Sequence, residues 1–195
     1  NMSSIEPAIK KQYEKIFQTN DWFAFKQLAE YYLELAVHLK KKDIDYEKDY
    51  KLWIRNVQKR LFIGLACELL LKTHYLHQGY GINVPQNGGW RLYKLNNVQR
   101  SQYKKDRTFS MNFLLDQLKH GPKFVAQQTI EKGFRIAKVF RNKEGHIAVY
   151  WHNFDDQNYT DIESSLNLFY KEAFNQSLSI QFSFKSGEDG IFKLE

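Results

Sequence analysis

The stretch from Tyr46 to Leu76 constrains the fold of this chain most. It contains no proline, and Tyr50, Ile54, Val57, Leu61, Leu65 and Leu69 recur at three- and four-residue steps. That period places apolar side chains on one face of a long helix. The chain has only three prolines, Pro7, Pro85 and Pro122, so helices are free to run elsewhere too. Hydrophobic residues make up 43% and aromatics 16%, enough to build a core and to exclude global disorder. The fold class expected is mainly α, as one domain over residues 1–195 with a helical core at about 20–176.

Other elements follow from local signals. A first helix is expected from Ile5 to Phe17. Thr19-Asn20-Asp21 supplies a start signal for a second, whose apolar positions run from Trp22 to Leu39 and whose polar face ends in Lys40-Lys41-Lys42. Residues 78–106 lack a helical period and read as a long basic loop. Thr108 or Ser110 can cap a short helix through Phe113, Leu114 and Leu118. A further helix spans about Lys123 to Phe140. Gly145 to Trp151 reads as helix or strand alike. Thr160-Asp161-Ile162-Glu163 has the form of a capping box opening a last helix through Asn175. Alternation from Leu178 to Phe184, a turn, and Ile191 to Leu194 suggest a small C-terminal β-hairpin.

Function classes are narrowed by what the sequence lacks. The single cysteine, Cys67, excludes an internal disulfide and a Cys-based zinc module. There is no phosphate-loop, dinucleotide, HExxH or GxSxG motif. No signal-peptide pattern is seen, and the longest apolar run, Leu61 to Leu71, is too short for a bilayer. A soluble, cytoplasmic protein without metal, cofactor or membrane association is expected. His74 and His77, three apart, read as surface residues rather than metal ligands. Asp155-Asp156 reads as turn chemistry. Glu68 falls on the apolar side of the long helix and needs a partner there, read first as a structural bond.

The net charge of +7 allows a polyanionic partner without requiring one. Two regions concentrate it. Arg91, Lys94, Arg100, Lys104 and Lys105 interleave with Trp90, Tyr93 and Tyr103, a mixture that suits single-stranded nucleic acid or simply a solvated loop with packing aromatics. Lys132, Arg135 and Lys138 recur at spacing three and lead to Arg141. Such a ridge is also the ordinary look of a solvated helix face. The RNA-binding set read from these two regions is Lys132, Arg135, Lys138, Arg91, Lys94, Trp90 and Tyr93.

Of the seven arginines only Arg141 has a histidine, His146, four to six places downstream. Positions five apart on a helix lie about 140° apart around the axis, so a bend at Gly145 would let both reach one groove. Histidine can move a proton near neutral pH, and arginine can hold a phosphate and stabilise charge on its oxygens. With the 2′-hydroxyl of RNA as nucleophile, that is a sufficient kit for RNA cleavage. Asn142 can orient a phosphate or either partner. The plainer alternative is an arginine capping helix carbonyls and an ordinary histidine.

Arg141-Asn142-x3-His146 resembles the signature of the HEPN superfamily, in which Arg is followed four to six residues later by His, often with a polar residue directly after the Arg. Leu65 to Lys72 is similar to the Glu/Leu/Lys-rich second core helix of those domains, and Phe113 to Leu118 to the small helix that follows it. The resemblance covers roughly residues 20–176. It implies an antiparallel helical bundle, commonly a homodimer, with Arg141, Asn142 and His146 at the catalytic positions. It further implies a metal-independent endoribonuclease leaving a 2′,3′-cyclic phosphate, a toxin or anti-phage defence effector with an antitoxin protein as partner. Some members of that superfamily are inactive, so the alternative is a non-catalytic module that binds RNA or protein. The loop at 78–106 and the β-like tail depart from a minimal domain.

Overall fold

The computed structural model describes residues 22–39, 48–95, 103–145, 155–182 and 190–195. Within them the chain is mainly helical: α1 (Trp22–His38), α2 (Lys48–His77), α3 (Met111–Gln117), α4 (Gln127–Gly145) and α5 (Asp156–Phe174). Two antiparallel strand pairs complete it: β1 (Asn83–Pro85) with β2 (Tyr103–Thr108), and β3 (Leu178–Gln181) with β4 (Ile191–Leu194). The expected helix at Ile5–Phe17, the basic cluster Lys40–Lys42 and most of the Gly145–Trp151 segment lie outside the described residues.

The long helix forms where its period places it, and its interior explains why. Ile63, Ala66, Cys67, Leu70, Leu71 and Tyr75 are fully buried and meet Leu33 and Ala36 of α1, Phe134 and Ala137 of α4, and Phe169 and Tyr170 of α5 in one core. Burial pushes the Cys67 thiol far above its ordinary pKa, so it behaves as a small apolar side chain. Tyr75 donates its hydroxyl to the Leu114 carbonyl at 2.7 Å, tying α3 to α2.

Two glycines mark close helix crossings. A Cβ on Gly64 of α2 would lie 2.6 Å from Arg141 Cβ and 2.8 Å from the Ala137 carbonyl oxygen of α4. A Cβ on Gly133 of α4 would lie 2.3 Å from Ser165 Cβ and 2.7 Å from the Asp161 carbonyl oxygen of α5. These distances leave no room for a side chain, so α4 is clasped between α2 and α5 at defined points. Ser165 reinforces the second crossing by donating to the Thr129 and Ile130 carbonyls at 3.2 and 2.7 Å.

Several helix ends differ from the sequence expectation, each for a local reason. α4 begins at Gln127 rather than Lys123 and runs on to Gly145. Its start is fixed by Glu172 of α5, whose carboxylate accepts the Val125 and Ala126 backbone N–H groups. α5 begins at Asp156, capped by Asp155, whose Oδ1 accepts the Asn158 N–H at 3.0 Å. Thr160 is therefore inside the helix, donating to the Asp156 carbonyl, and no capping box forms there. Glu163 instead accepts the Phe182 N–H at 2.7 Å and holds the end of β3 on α5. α3 is capped by Ser110, not Thr108.

The C-terminal hairpin is present, with Leu178 opposite Leu194 and Gln181 opposite Ile191. Leu178 and Ile180 face inward and Ser179 and Gln181 outward, as the alternation demands. The described parts of the expected 78–106 loop hold regular pairing, and residues 96–102 lie outside the described residues. β1 pairs with β2, Tyr80 bridges to Lys94, and Asn83 donates its side-chain amide to the Lys104 carbonyl.

His74 is not a surface residue. It is 3% exposed, stacks on Phe124 with ring centroids 4.2 Å apart, and lies 3.4 Å from the Pro122 carbonyl. Burial lowers its pKa to about 4, outweighing the raising effect of the Pro122 contact. The unfolded chain therefore binds a proton that the native chain refuses between about pH 6.5 and 4. This group's contribution to stability is complete above pH 6.5 and falls by up to ~3 kcal/mol as pH drops to 4. Urea denaturation at pH 7 and 4.5 should show a smaller acid loss in His74→Asn than in the parent chain. An equal loss in both would contradict the assignment.

Candidate functional site

Arg141 lies where α4 crosses α2, and Gly64 creates the space beside it. Its Nε is 2.8 Å from Glu68 Oε2. That contact is an ion pair by distance, since no aligned hydrogen bond reaches Oε2. The other carboxylate oxygen, Oε1, accepts from Lys72 Nζ at 2.7 Å, and Lys72 Nζ also donates to Thr108 Oγ1 at 3.0 Å. Glu68 and Lys72 are 8% and 9% exposed, whereas the Arg141 side chain is 39% exposed. One carboxylate thus serves a buried cation behind it and a half-exposed cation in front.

Electrostatics follow from that count. Two cations share one anion, so the cluster keeps one positive charge in excess, carried outward by the guanidinium. Buried charges persist only when paired, and Glu68 satisfies that condition through α2, α4 and, by way of Lys72, the end of β2. Among the described residues the terminal nitrogens of Arg141 have no partner, which leaves a planar donor edge for an external anion. Asn142 follows on α4 and is exposed. His146 lies outside the described residues.

The rest of the basic ridge is arranged differently. Lys132 pairs with Asp161 at 2.7 Å and Arg135 with Asp116 at 2.9 Å. The hydrogen bond from Lys132 holds the Asp161 carboxyl below its ordinary pKa. Lys138 donates to Asn112 Oδ1 at 2.8 Å, and Asn112 in turn donates to Asp116. These three side chains dock α4 on α5 and α3. Lys132 and Arg135 each have a carboxylate of their own; Arg141 shares one.

The aromatic–basic region also divides. Tyr93 donates to the Asn83 carbonyl at 3.0 Å and stacks on Tyr103 with centroids 4.5 Å apart. Lys94 donates to the Gln78 carbonyl and sits 3.6 Å above the Tyr80 ring centroid. Both are engaged within the protein. Arg91 is exposed, and Trp90 is 48% exposed.

Sequence reasoning singled out Arg141 and Asn142 but did not join Arg141 to Glu68, and it passed over Lys72, Thr108 and Gly64 as parts of the site. The signal available was the Glu68–Lys72 spacing of four on an otherwise apolar face. Among the described residues, no three His, Cys, Asp or Glu side chains converge as a metal-holding group, and no helix is long and apolar enough to cross a membrane. Compared with known protein families, curated proteins and solved structures, the chain has no match.

The crossing beside Arg141 can be tested directly. Gly64→Ala should lower the unfolding free energy by about 1–3 kcal/mol through overpacking, despite the better helix propensity of alanine. Gly89→Ala is the control, because a Cβ there meets nothing; it should stay within about 0.5 kcal/mol of the parent. Equal, small effects in denaturant titrations would contradict the close crossing.

Proposed function

We propose that this chain is a metal-independent endoribonuclease of HEPN type, acting as a homodimer in a toxin or anti-phage defence setting. The observation that carries this reading is the Arg141–Glu68–Lys72 cluster. It fixes a half-exposed guanidinium, with surplus positive charge and an open donor edge, on the helix that leads to His146.

In this reading Arg141 binds a bridging phosphate of RNA through its terminal nitrogens while Glu68 holds its Nε. His146 removes the proton from the 2′-hydroxyl, or protonates the departing 5′-oxygen. The histidine of the second protomer at the shared cleft performs the other transfer. The 2′-oxygen attacks phosphorus, the bond to the 5′-oxygen breaks, and a 2′,3′-cyclic phosphate and a 5′-hydroxyl remain. Arg141 stabilises the charge that grows on the non-bridging oxygens. Asn142, exposed beside it, hydrogen-bonds the phosphate. DNA lacks the 2′-hydroxyl and cannot react this way.

Single-stranded RNA should be cleaved in the presence of a chelator, and DNA of the same sequence should survive. Arg141→Ala and His146→Ala should each lower the rate by roughly 10²–10³-fold. Mass spectrometry of the products should find the cyclic phosphate. Cleavage by both variants at the parent rate would defeat the proposal. RNA binding that falls with salt, with no turnover under any condition, would instead support a non-catalytic binding module.

A further inference from the structure

Trp90 is the one large aromatic of the 78–95 segment that stays open to solvent. It is 48% exposed, yet it is not loosely held. Its ring meets Phe113 edge-on at a centroid distance of 5.4 Å and Phe109 at 5.9 Å. Phe109 is fully buried, so one side of the indole is anchored in the core. The Arg107 guanidinium lies 5.7 Å from the Trp90 ring centroid, and Arg107 is itself exposed. A Cβ on either preceding residue, Gly88 or Gly89, would meet nothing within 4 Å beyond its chain neighbours.

Two chains of contacts, through β2 and through α3, link this ring to the surroundings of Arg141. Arg107 and Phe109 contact Trp90, whereas Thr108 between them contacts Lys72 of the Glu68 cluster. The end of β2 thus has the indole on one side and the cluster on the other. A second connection runs through α3: Phe113 contacts Trp90, and its neighbour Asn112 accepts from Lys138, one helical turn before Arg141.

We infer that Trp90 and Arg107 form a stacking platform for an unpaired base of single-stranded RNA. The inference rests on the proposed ribonuclease reading for its ligand and deepens it by naming the substrate class. A rigid, half-exposed indole offers an apolar face to any base, and Arg107 adds a planar cation that stacks with the ring or reaches the adjacent phosphate. Arg91, exposed and next in sequence, adds a second cation for the backbone. A duplex keeps its bases stacked inside and cannot use such a platform.

The test uses the full chain and fluorescein-labelled oligoadenylate and oligouridylate with 2′-O-methyl riboses, which bind without being cleaved. Anisotropy should show Trp90→Ala weakening both single strands on the order of 10-fold or more, Trp90→Phe recovering most of that loss, and Arg107→Gln weakening binding several-fold. Affinity for a duplex should be the same in parent and Trp90→Ala. Arg107→Gln, an exposed substitution, serves if Trp90→Ala does not fold. Platform-dependent binding without cleavage of unmodified RNA would keep the platform and defeat the nuclease reading. Cleavage by the parent with unchanged single-strand affinity in folded Trp90→Ala would defeat the platform alone. No single-strand binding by the parent, or Trp90-dependent self-association in place of it, would overturn the inference.

Discussion

A carboxylate within the packed face of a long helix needs partners, and Glu68 draws its partners from around it. Lys72 supplies one from the next turn of α2, and Arg141 supplies the other from α4. Lys72 extends the contact to Thr108 at the end of β2. Arg141 is thereby tied to Glu68: moving the guanidinium away would leave the buried carboxylate with Lys72 alone, at a cost of about 1 kcal/mol because the guanidinium is partly solvated. Gly64 makes the arrangement sterically possible, since any side chain there would push α4 off α2 at Arg141 itself.

The same helix is held on its far side by Gly133 against Ser165 and at its start by Glu172. Lys132, Arg135 and Lys138 then bind α4 to its neighbours through Asp161, Asp116 and Asn112. These contacts use up most of the ridge as docking charge. What remains outward is Arg141, with Asn142 beside it. Along the ridge, then, Lys132 and Arg135 each have a carboxylate to themselves, Lys138 has an amide oxygen, and Arg141 shares the carboxylate of Glu68.

Much of the helical architecture was legible because it depends on period and composition. The long helix, the short α3 and the C-terminal hairpin follow from apolar spacing, a serine cap and strict alternation. The errors cluster where the deciding partner comes from a distant element. Nothing near residue 127 announces that Glu172 will cap α4, and Thr160-x-x-Glu163 has the form of a capping box although Asp155 takes that role. His74 reads as a surface residue because no Asp, Glu or Cys ligand stands in register with it and His77; Phe124 and Pro122, far along the chain, bury it. At the site, Arg141 stood out by its distance to His146, but the Glu68 contact is a tertiary fact. Trp90, Tyr93 and Lys94 looked equivalent in sequence, and only packing separates the exposed indole from two side chains used by the fold.

The dependence of Arg141 on Glu68 is tested most directly by a double-mutant cycle, with Glu68→Gln, Arg141→Gln and the pair measured by urea denaturation at low salt. The account predicts a coupling energy of about 1 kcal/mol or more, with Glu68→Gln costing less once Arg141 is already changed. Additive losses, with no coupling beyond experimental error, would contradict it.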